Sequence, residues 1–233
     1  MSNTISNSAW DHFYTQTQTI IDRDLTPMER NQFVELMSHL LQWRKAYNLI
    51  GPTPPEEILD RHFLDSILVH PHIKVAVKVA DLGSGGGFPG LVLGILAPDN
   101  QTISLIEPSK KKVRFLNFIT TELDLGKRIR VFNKRGEELP AVELGSFDIV
   151  VSRALGNLEM CTQISRKLLK PTGFYLTMKG PNFQQEIDQF EQSPQKAGYG
   201  TPEICSNRRS APSRTVLIRV PRVSRETSSA PET

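Results

Sequence analysis

The sequence predicts an α/β fold: a mostly parallel, seven-stranded sheet covered on both faces and carrying an amino-terminal helical cap. Three observations predict it. From about residue 73 onward, short apolar runs alternate with segments of helical periodicity, as in a parallel sheet with crossover helices. The run Val79-Ala80-Asp81-Leu82 leads into the glycine-rich turn Gly83 to Gly90, a strand–turn–helix signal. The segment before residue 73 carries helix signals and no strand signal. The chain thus divides into a helical appendage over 1–72, an α/β domain over 73–220 and a tail over 221–233. The tail is rich in Ser, Thr, Glu and Pro and is expected to lack fixed structure.

Each element has its own reason. Residues 8–22 are expected to form a first helix. Thr26-Pro27-x-Glu29 is a capping box with proline at the first helical position. Phe33, Leu36, Met37, Leu40 and Tyr47 follow at helical spacing, and Gly51-Pro52 stops the helix. Pro55-Glu56-Glu57 opens another helical stretch, through Arg61 to Ser66, that ends near Pro71. Strands are then expected at 76–82, 101–107, 129–133, 147–151 and 173–179, with helices at 89–97, 109–123, 157–169 and 182–192. Ser109 is placed to cap the second of these helices. A last strand, Thr215 to Val220, should pair with one near 201–205 at a sheet edge.

Composition excludes several classes. No stretch is apolar over the length needed to cross a bilayer, and the first residues lack the basic start and apolar core of a signal peptide. Cys161 and Cys205 form neither a disulfide framework nor a metal-ligand spacing. The expected setting is therefore cytoplasmic, with no membrane and no metal as partner. The net charge of +3 hides an uneven distribution. Lys110, Lys111, Lys112, Arg114, Lys127, Arg128, Arg130, Lys134 and Arg135 are opposed only by Glu122 and Asp124. Arg208, Arg209, Arg214, Arg219, Arg222 and Arg225 form a second basic stretch. A single charge run is often a solvated face, but two beside one ligand site favour a polyanionic substrate.

The glycine turn defines that ligand site. Backbone without Cβ lets a ligand lie against it, and Glu107, closing the next strand, is placed to accept both hydroxyls of a ribose. Gly85-x-Gly87-x-x-Gly90 formally matches the dinucleotide fingerprint. Asp81 and Gly83 precede it, however, so an acid faces the ligand, which suits a cationic group better than a pyrophosphate. Asp81-x-Gly83-x-Gly85 resembles the first motif of the Rossmann-like S-adenosylmethionine-dependent methyltransferases. Gly136-Glu137-Glu138 follows the third strand, where such enzymes usually hold the adenine. Arg153, at the mouth of the apolar run Phe147 to Val151, can bind a carboxylate or grip a phosphate; the bland alternative is a salt bridge to Asp148 or Glu107. Lys179 ends the fifth strand, where it is either structural or near a target base.

Six motifs occur in order: Tyr47-Asn48-Leu49-Ile50, Arg61-His62-Phe63-Leu64-Asp65-Ser66, Asp81 to Gly90, Lys111-Lys112-Val113-Arg114-Phe115-Leu116, Ser152-Arg153-Ala154 and Met178-Lys179-Gly180. Together, from about residue 28 to 220, they resemble the bacterial 16S rRNA guanine-N7 methyltransferases, a family also called glucose-inhibited division protein B. The resemblance implies methyl transfer from S-adenosylmethionine to N7 of one guanine in the 530 loop, with 16S rRNA or the small ribosomal subunit as partner. By motif it places the cofactor on Gly83, Phe88, Gly136, Glu137 and Arg153, with Glu107 on the ribose and Asp81 and Gly85 in the same turn. Gly86 stands where alanine or proline is expected in many relatives.

Chemistry narrows the reading by exclusion. Methylating a cytosine ring carbon needs a cysteine nucleophile, and neither cysteine is placed for it. The loop Ser152-Arg153-Ala154-Leu155 is not the Asn- or Asp-Pro-Pro-aromatic loop of exocyclic-amine methyltransferases. Guanine N7 carries an in-plane lone pair, so no catalytic general base is expected. Lys110, Lys111, Lys112 and Arg114, together with Arg128 to Arg135, are assigned to RNA phosphates, and Arg61 and His62 to the substrate entrance, where either can stack on a base. The bland reading of the entrance is a packed cap held by an Arg61–Asp65 pair. A methyltransferase for a small molecule or protein, an RNA-binding module with an inactive nucleoside fold, and an NAD-binding fold stay open.

Overall fold

The computed structural model describes residues 5–73, 78–205 and 215–223. Helices α1 (Asn7–Ile21) and α2 (Pro27–Tyr47) open the chain. The α2 capping box forms: Glu29 N–H donates to Thr26 Oγ1, and Thr26 N–H donates to the Glu29 carboxylate. The helix ends before Gly51, because Asn48 adopts the left-handed conformation at φ 49° that asparagine tolerates.

The stretch from Pro55 departs from a plain helix. A turn α3 (Pro55–Ile58) passes into a π-helix (Leu59–Leu64), then into α4 (Asp65–Ile67) and, after a break, α5 (His70–Ile73). The π segment's wider bonding, with Asp65 N–H reaching Asp60 O, re-aims Arg61 and His62 relative to an α-helix. The Arg61–Asp65 pair of the alternative reading does not form. Arg61 pairs with Glu57 at 3.0 Å, and Asp65 accepts from Thr215 Oγ1 at 2.7 Å.

Strand and helix then alternate: β1 (Lys78–Leu82), α6 (Gly90–Leu96), β2 (Thr102–Ile106), α7 (Lys110–Glu122), β3 (Ile129–Phe132), β4 (Phe147–Arg153), α8 (Leu158–Leu168), β5 (Leu169–Lys179), α9 (Phe183–Glu191), β6 (Glu203–Cys205) and β7 (Val216–Pro221). The seven strands lie in the order β3-β2-β1-β4-β5-β7-β6. The first five are mutually parallel, and β7 runs antiparallel to both β5 and β6. Several strand ends differ from expectation, among them β4, which runs two residues further to Arg153, and the following two. β5 begins at Leu169, which pairs with Phe147 across an irregular register. β7 takes Pro221, and Arg222 N–H donates to Gly173 O. The rest of the tail, Arg208, Arg209, Arg214 and Arg225 lie outside the described residues.

Alternation along the strands sends successive side chains to opposite faces. Val79, Ile103, Leu105, Ile149 and Val151 join a core shared with α1, α2, α6, α7 and the 55–73 segment. Ala80, Leu82, Ile106, Val150 and Tyr175 join a second core with α8 and α9. The cap therefore shares a core with the sheet. Phe13, Phe33 and Phe63 meet in edge and tilted contacts at 5.2–6.0 Å, and Phe63 carries the contact on to Phe88 in the glycine turn at 5.4 Å. Among the described residues, no helix is long and apolar enough to cross a membrane, and no group of His, Cys, Asp and Glu is arranged to hold a metal.

Candidate active site

Strand order reverses at β1, whose neighbours β2 and β4 lead away in opposite directions, and ligands of such sheets bind beyond the carboxyl ends of the strands there. The glycine turn occupies that position. Gly83, Gly85 and Gly87 all have positive φ, at 74°, 58° and 94°. Gly83 N–H and Ser84 N–H both donate to Ile106 O, binding the turn to β2. Ser84, fully buried, completes the latch: its hydroxyl donates to Asp81 O and accepts from Ile106 N–H. Sequence reasoning passed over Ser84, although a lone hydroxyl among glycines was the available signal. A Cβ at Gly85 would meet only Gly83 O at 3.8 Å and Lys112 Nζ at 4.0 Å, so the backbone there is open to a ligand. Gly86 is different, for its Cβ would stand 2.8 Å from Leu49 O, where the cap lies over the turn.

Two acids flank the turn. Asp81 is fully buried; Oδ2 accepts from Gly90 N–H at 2.9 Å, and Oδ1 has no hydrogen-bond partner among the described residues. Burial pushes its carboxyl up to about 7, against the opposing pull of Gly90 N–H and the Arg153 charge. A buried acceptor without a donor is a place for a ligand's cationic N–H. Glu107 is also buried; its carboxylate accepts from Gly85 N–H at 2.9 Å and from Ser109 N–H at 2.8 Å. A carboxylate has about four acceptor positions, so two remain for a pair of hydroxyls. Asn133, exposed at the end of β3, donates to the carbonyls of Glu107 and Pro108 and holds that corner. Ser109 starts α7 without a side-chain cap, contrary to expectation, and its N–H donates to Glu107.

Gly136 is buried after β3; a Cβ there would lie 2.6 Å from Leu82 and 2.7 Å from Ile164, so the turn packs closely on the sheet. Glu137 beside it is exposed. Phe88 is buried against His62 and Phe63, with the Arg153 guanidinium over its ring at 5.7 Å.

Arg153 makes neither of the salt bridges considered above. One guanidinium nitrogen donates to Arg61 O at 3.0 Å and another donates to His62 Nδ1. Since arginine only donates, Nδ1 must be the bare nitrogen, and the proton sits on Nε2, which faces Thr53 Oγ1 at 3.3 Å. Burial and the Arg153 and Arg61 charges hold His62 at about 3, so it stays neutral. His62 is therefore not a surface group stacking on a base; it orients Arg153, while Arg61 is exposed. Lys179, also buried, pairs with Glu186 at 2.7 Å and donates to Gly156 O, tying down the loop after β4.

The basic run splits in space. Lys110, Lys111 and Arg114 are exposed, with Lys112 partly so, on the first turns of α7 beside the glycine turn. Arg128 lies at the other end of the sheet, where it donates to the carbonyls of Gly94, Ile95 and Ala97 and caps α6. It therefore lies apart from the α7 lysines with which the basic run groups it.

The sheet order and the turn between paired acids define the chain as a Rossmann-like methyltransferase fold. Solved structures agree on the fold. An S-adenosylmethionine-dependent O-methyltransferase from Thermotoga maritima superposes with TM-score 0.57 at 14% identity, over 82% of this chain and 72% of that one. A SAM-dependent methyltransferase from Aquifex aeolicus gives 0.56 at 15% identity, over 77% and 97%. Sequence goes further: residues 29–211 match the family model of rRNA small subunit methyltransferase G. A protein named ribosomal RNA small subunit methyltransferase G from Mycoplasma capricolum is 35% identical over 81% of this chain and 79% of its own length. One of the same name from Halorhodospira halophila is 40% identical over 72% and 76%. The chain belongs to the rRNA small subunit methyltransferase G family.

Proposed function

We propose that this chain methylates N7 of a guanine in the 530 loop of 16S rRNA, using S-adenosylmethionine. The observation that carries the reading is the pair of buried acids around open glycine backbone, in a chain of this family. The donor, when bound, supplies a methyl group activated on a sulfonium. Asp81 Oδ1 would receive its ammonium group and Glu107 its ribose hydroxyls, while the Gly136–Glu137 turn borders the adenine side. Arg153, fixed by His62 and the Arg61 carbonyl, holds a positive charge at the mouth of β4 for a carboxylate or phosphate. Phe63 and Phe88 pack on each other in and behind the turn, an apolar backing of the kind that strengthens such interactions. Guanine N7 already presents a lone pair, so the residues need only align it and no general base is required.

The test is incubation with labelled methyl donor and small subunits from a strain lacking the protein, then mapping by cleavage at N7-methylguanine. Cleavage at one guanine of the 530 loop is the expected result. Label elsewhere in the rRNA, or none, overturns the reading. Two substitutions probe the site separately. Glu107→Ala should weaken donor binding by about 1–3 kcal/mol in calorimetry, the worth of hydrogen bonds to a charged group; unchanged affinity removes Glu107 from the ribose. Replacing Lys110 and Lys111 together by Gln should leave donor binding alone and reduce the salt slope of RNA binding by about 0.7 per lysine. An unaltered slope takes α7 off the RNA.

A further inference from the structure

One surface near the site has no part in the roles assigned so far. His39, Trp43 and Tyr47 recur every four residues along α2, forming one stripe that faces α7. Trp43 stacks on Phe118 of α7 at 4.9 Å and 24°, and Tyr47 lies 4.8 Å from Trp43. Trp43, Tyr47 and Phe118 are half-buried, with Trp43 also meeting the buried Phe115 at 5.7 Å on its inner side. The two helices are antiparallel, since Gln32 near the start of α2 donates to Leu123 O at the end of α7. The stripe therefore climbs toward the glycine turn, where Leu49 lies over Gly86 and Lys112 beside Gly85.

Charge flanks it on both sides. Lys45 on α2 and Lys111 and Arg114 on α7 are exposed. Arg114 and Phe118 are four residues apart and so share a helix face. No Asp or Glu occurs from Leu36 to Pro55 or from Pro108 to Thr121. Lysine is depleted at the centres of protein–protein interfaces. Aromatic faces along a cationic track are instead how single-stranded nucleic acid is held, bases on rings and phosphates on cations.

We propose that the Trp43–Tyr47–Phe118 edge is a stacking platform for unpaired bases of the RNA substrate, leading the strand along α7 to the glycine turn. The proposal rests on the rRNA reading above and adds where and how the strand is held.

Intrinsic fluorescence tests it directly, because the chain has two tryptophans and Trp10→Phe leaves Trp43 as the sole reporter. In that full-length variant, protein-free small-subunit rRNA should quench Trp43 emission, with binding followed in parallel by filter retention. Trp43→Leu should weaken RNA retention about tenfold, as expected for one lost base–aromatic stack, with donor binding and melting temperature monitored as controls. Retention of RNA with unchanged emission overturns the platform, as does unchanged affinity in Trp43→Leu. Quenching by intact subunits but not by protein-free rRNA assigns the stripe to a ribosomal protein and also overturns it. Failure to retain either RNA or subunits defeats the rRNA reading itself, a result distinct from loss of quenching alone.

Discussion

Asp81→Asn should make the ligand-free protein more stable at pH 8 while weakening its hold on the methyl donor. The Asp81 carboxyl is fully buried and pushed up to about 7, from an ordinary 3.8, chiefly by loss of water around it. The sign follows from proton binding. Between those two values the folded chain keeps a proton that the unfolded chain has released, so stability falls as pH rises through the window. The gap between 3.8 and about 7 corresponds to at most about 4 kcal/mol. Asparagine keeps an acceptor for Gly90 N–H and never ionises. The variant's denaturation midpoint should therefore change little from pH 5 to 8, where the wild type declines. Wild-type donor affinity should rise over the same range, because the ammonium favours the ionised acid. The Asp81→Asn variant would lose about 1.5–3 kcal/mol of that binding, the worth of a charged hydrogen bond. Parallel stability curves for the two proteins across this range would sink the assignment of the raised acidity to Asp81.

A substitution only one methyl larger should unfold the turn itself. At Gly87, with φ 94°, an added Cβ would stand 2.1 Å from Leu91 Cδ1 and 2.5 Å from Leu91 Cγ, and 3.3 Å from Leu116. Leu91 is fully buried and its N–H donates to Gly87 O at 2.7 Å, so it has no room to retreat. Overpacking of a core costs about 1–3 kcal/mol, and a left-handed non-glycine residue adds about 1 or more. Gly87→Ala should therefore cost about 2–4 kcal/mol, lowering Tm by roughly 5–15 °C in a chain of this size. Gly126→Ala is the control, since nothing lies within 4 Å of its added Cβ; it should stay within about 0.5 kcal/mol. A Gly87→Ala protein that melts with the wild type would show that the turn is looser than its packing indicates.

The features legible in the sequence are local ones. The α2 capping box, the strand ends at Asp81 and Glu107 and the glycine turn between them each follow from neighbours a few residues apart. Steric preference and hydrogen-bond chemistry act at that range, so spacing alone encodes them. The roles of single side chains around the turn were less accessible. Ser109 has the residue type of a cap, yet its side chain makes no capping bond. Arg128 reads as one member of a basic run, yet it donates to three carbonyls at the end of α6, more than thirty residues earlier in the chain.

By itself the sequence determined the alternating sheet, the open turn and the two acids that a nucleoside ligand would meet. Only the tertiary structure decided that His62 is a buried neutral group orienting Arg153, 91 residues away, and that Asp65 turns to Thr215 instead of Arg61. It also decided that the cap shares a core with the sheet and that an aromatic edge of α2 runs up to the site. The reason is physical: whether a polar group is wet, paired or neutral depends on which distant segments bury it. That burial is set by the packing of the whole chain, and residue spacing carries no record of it.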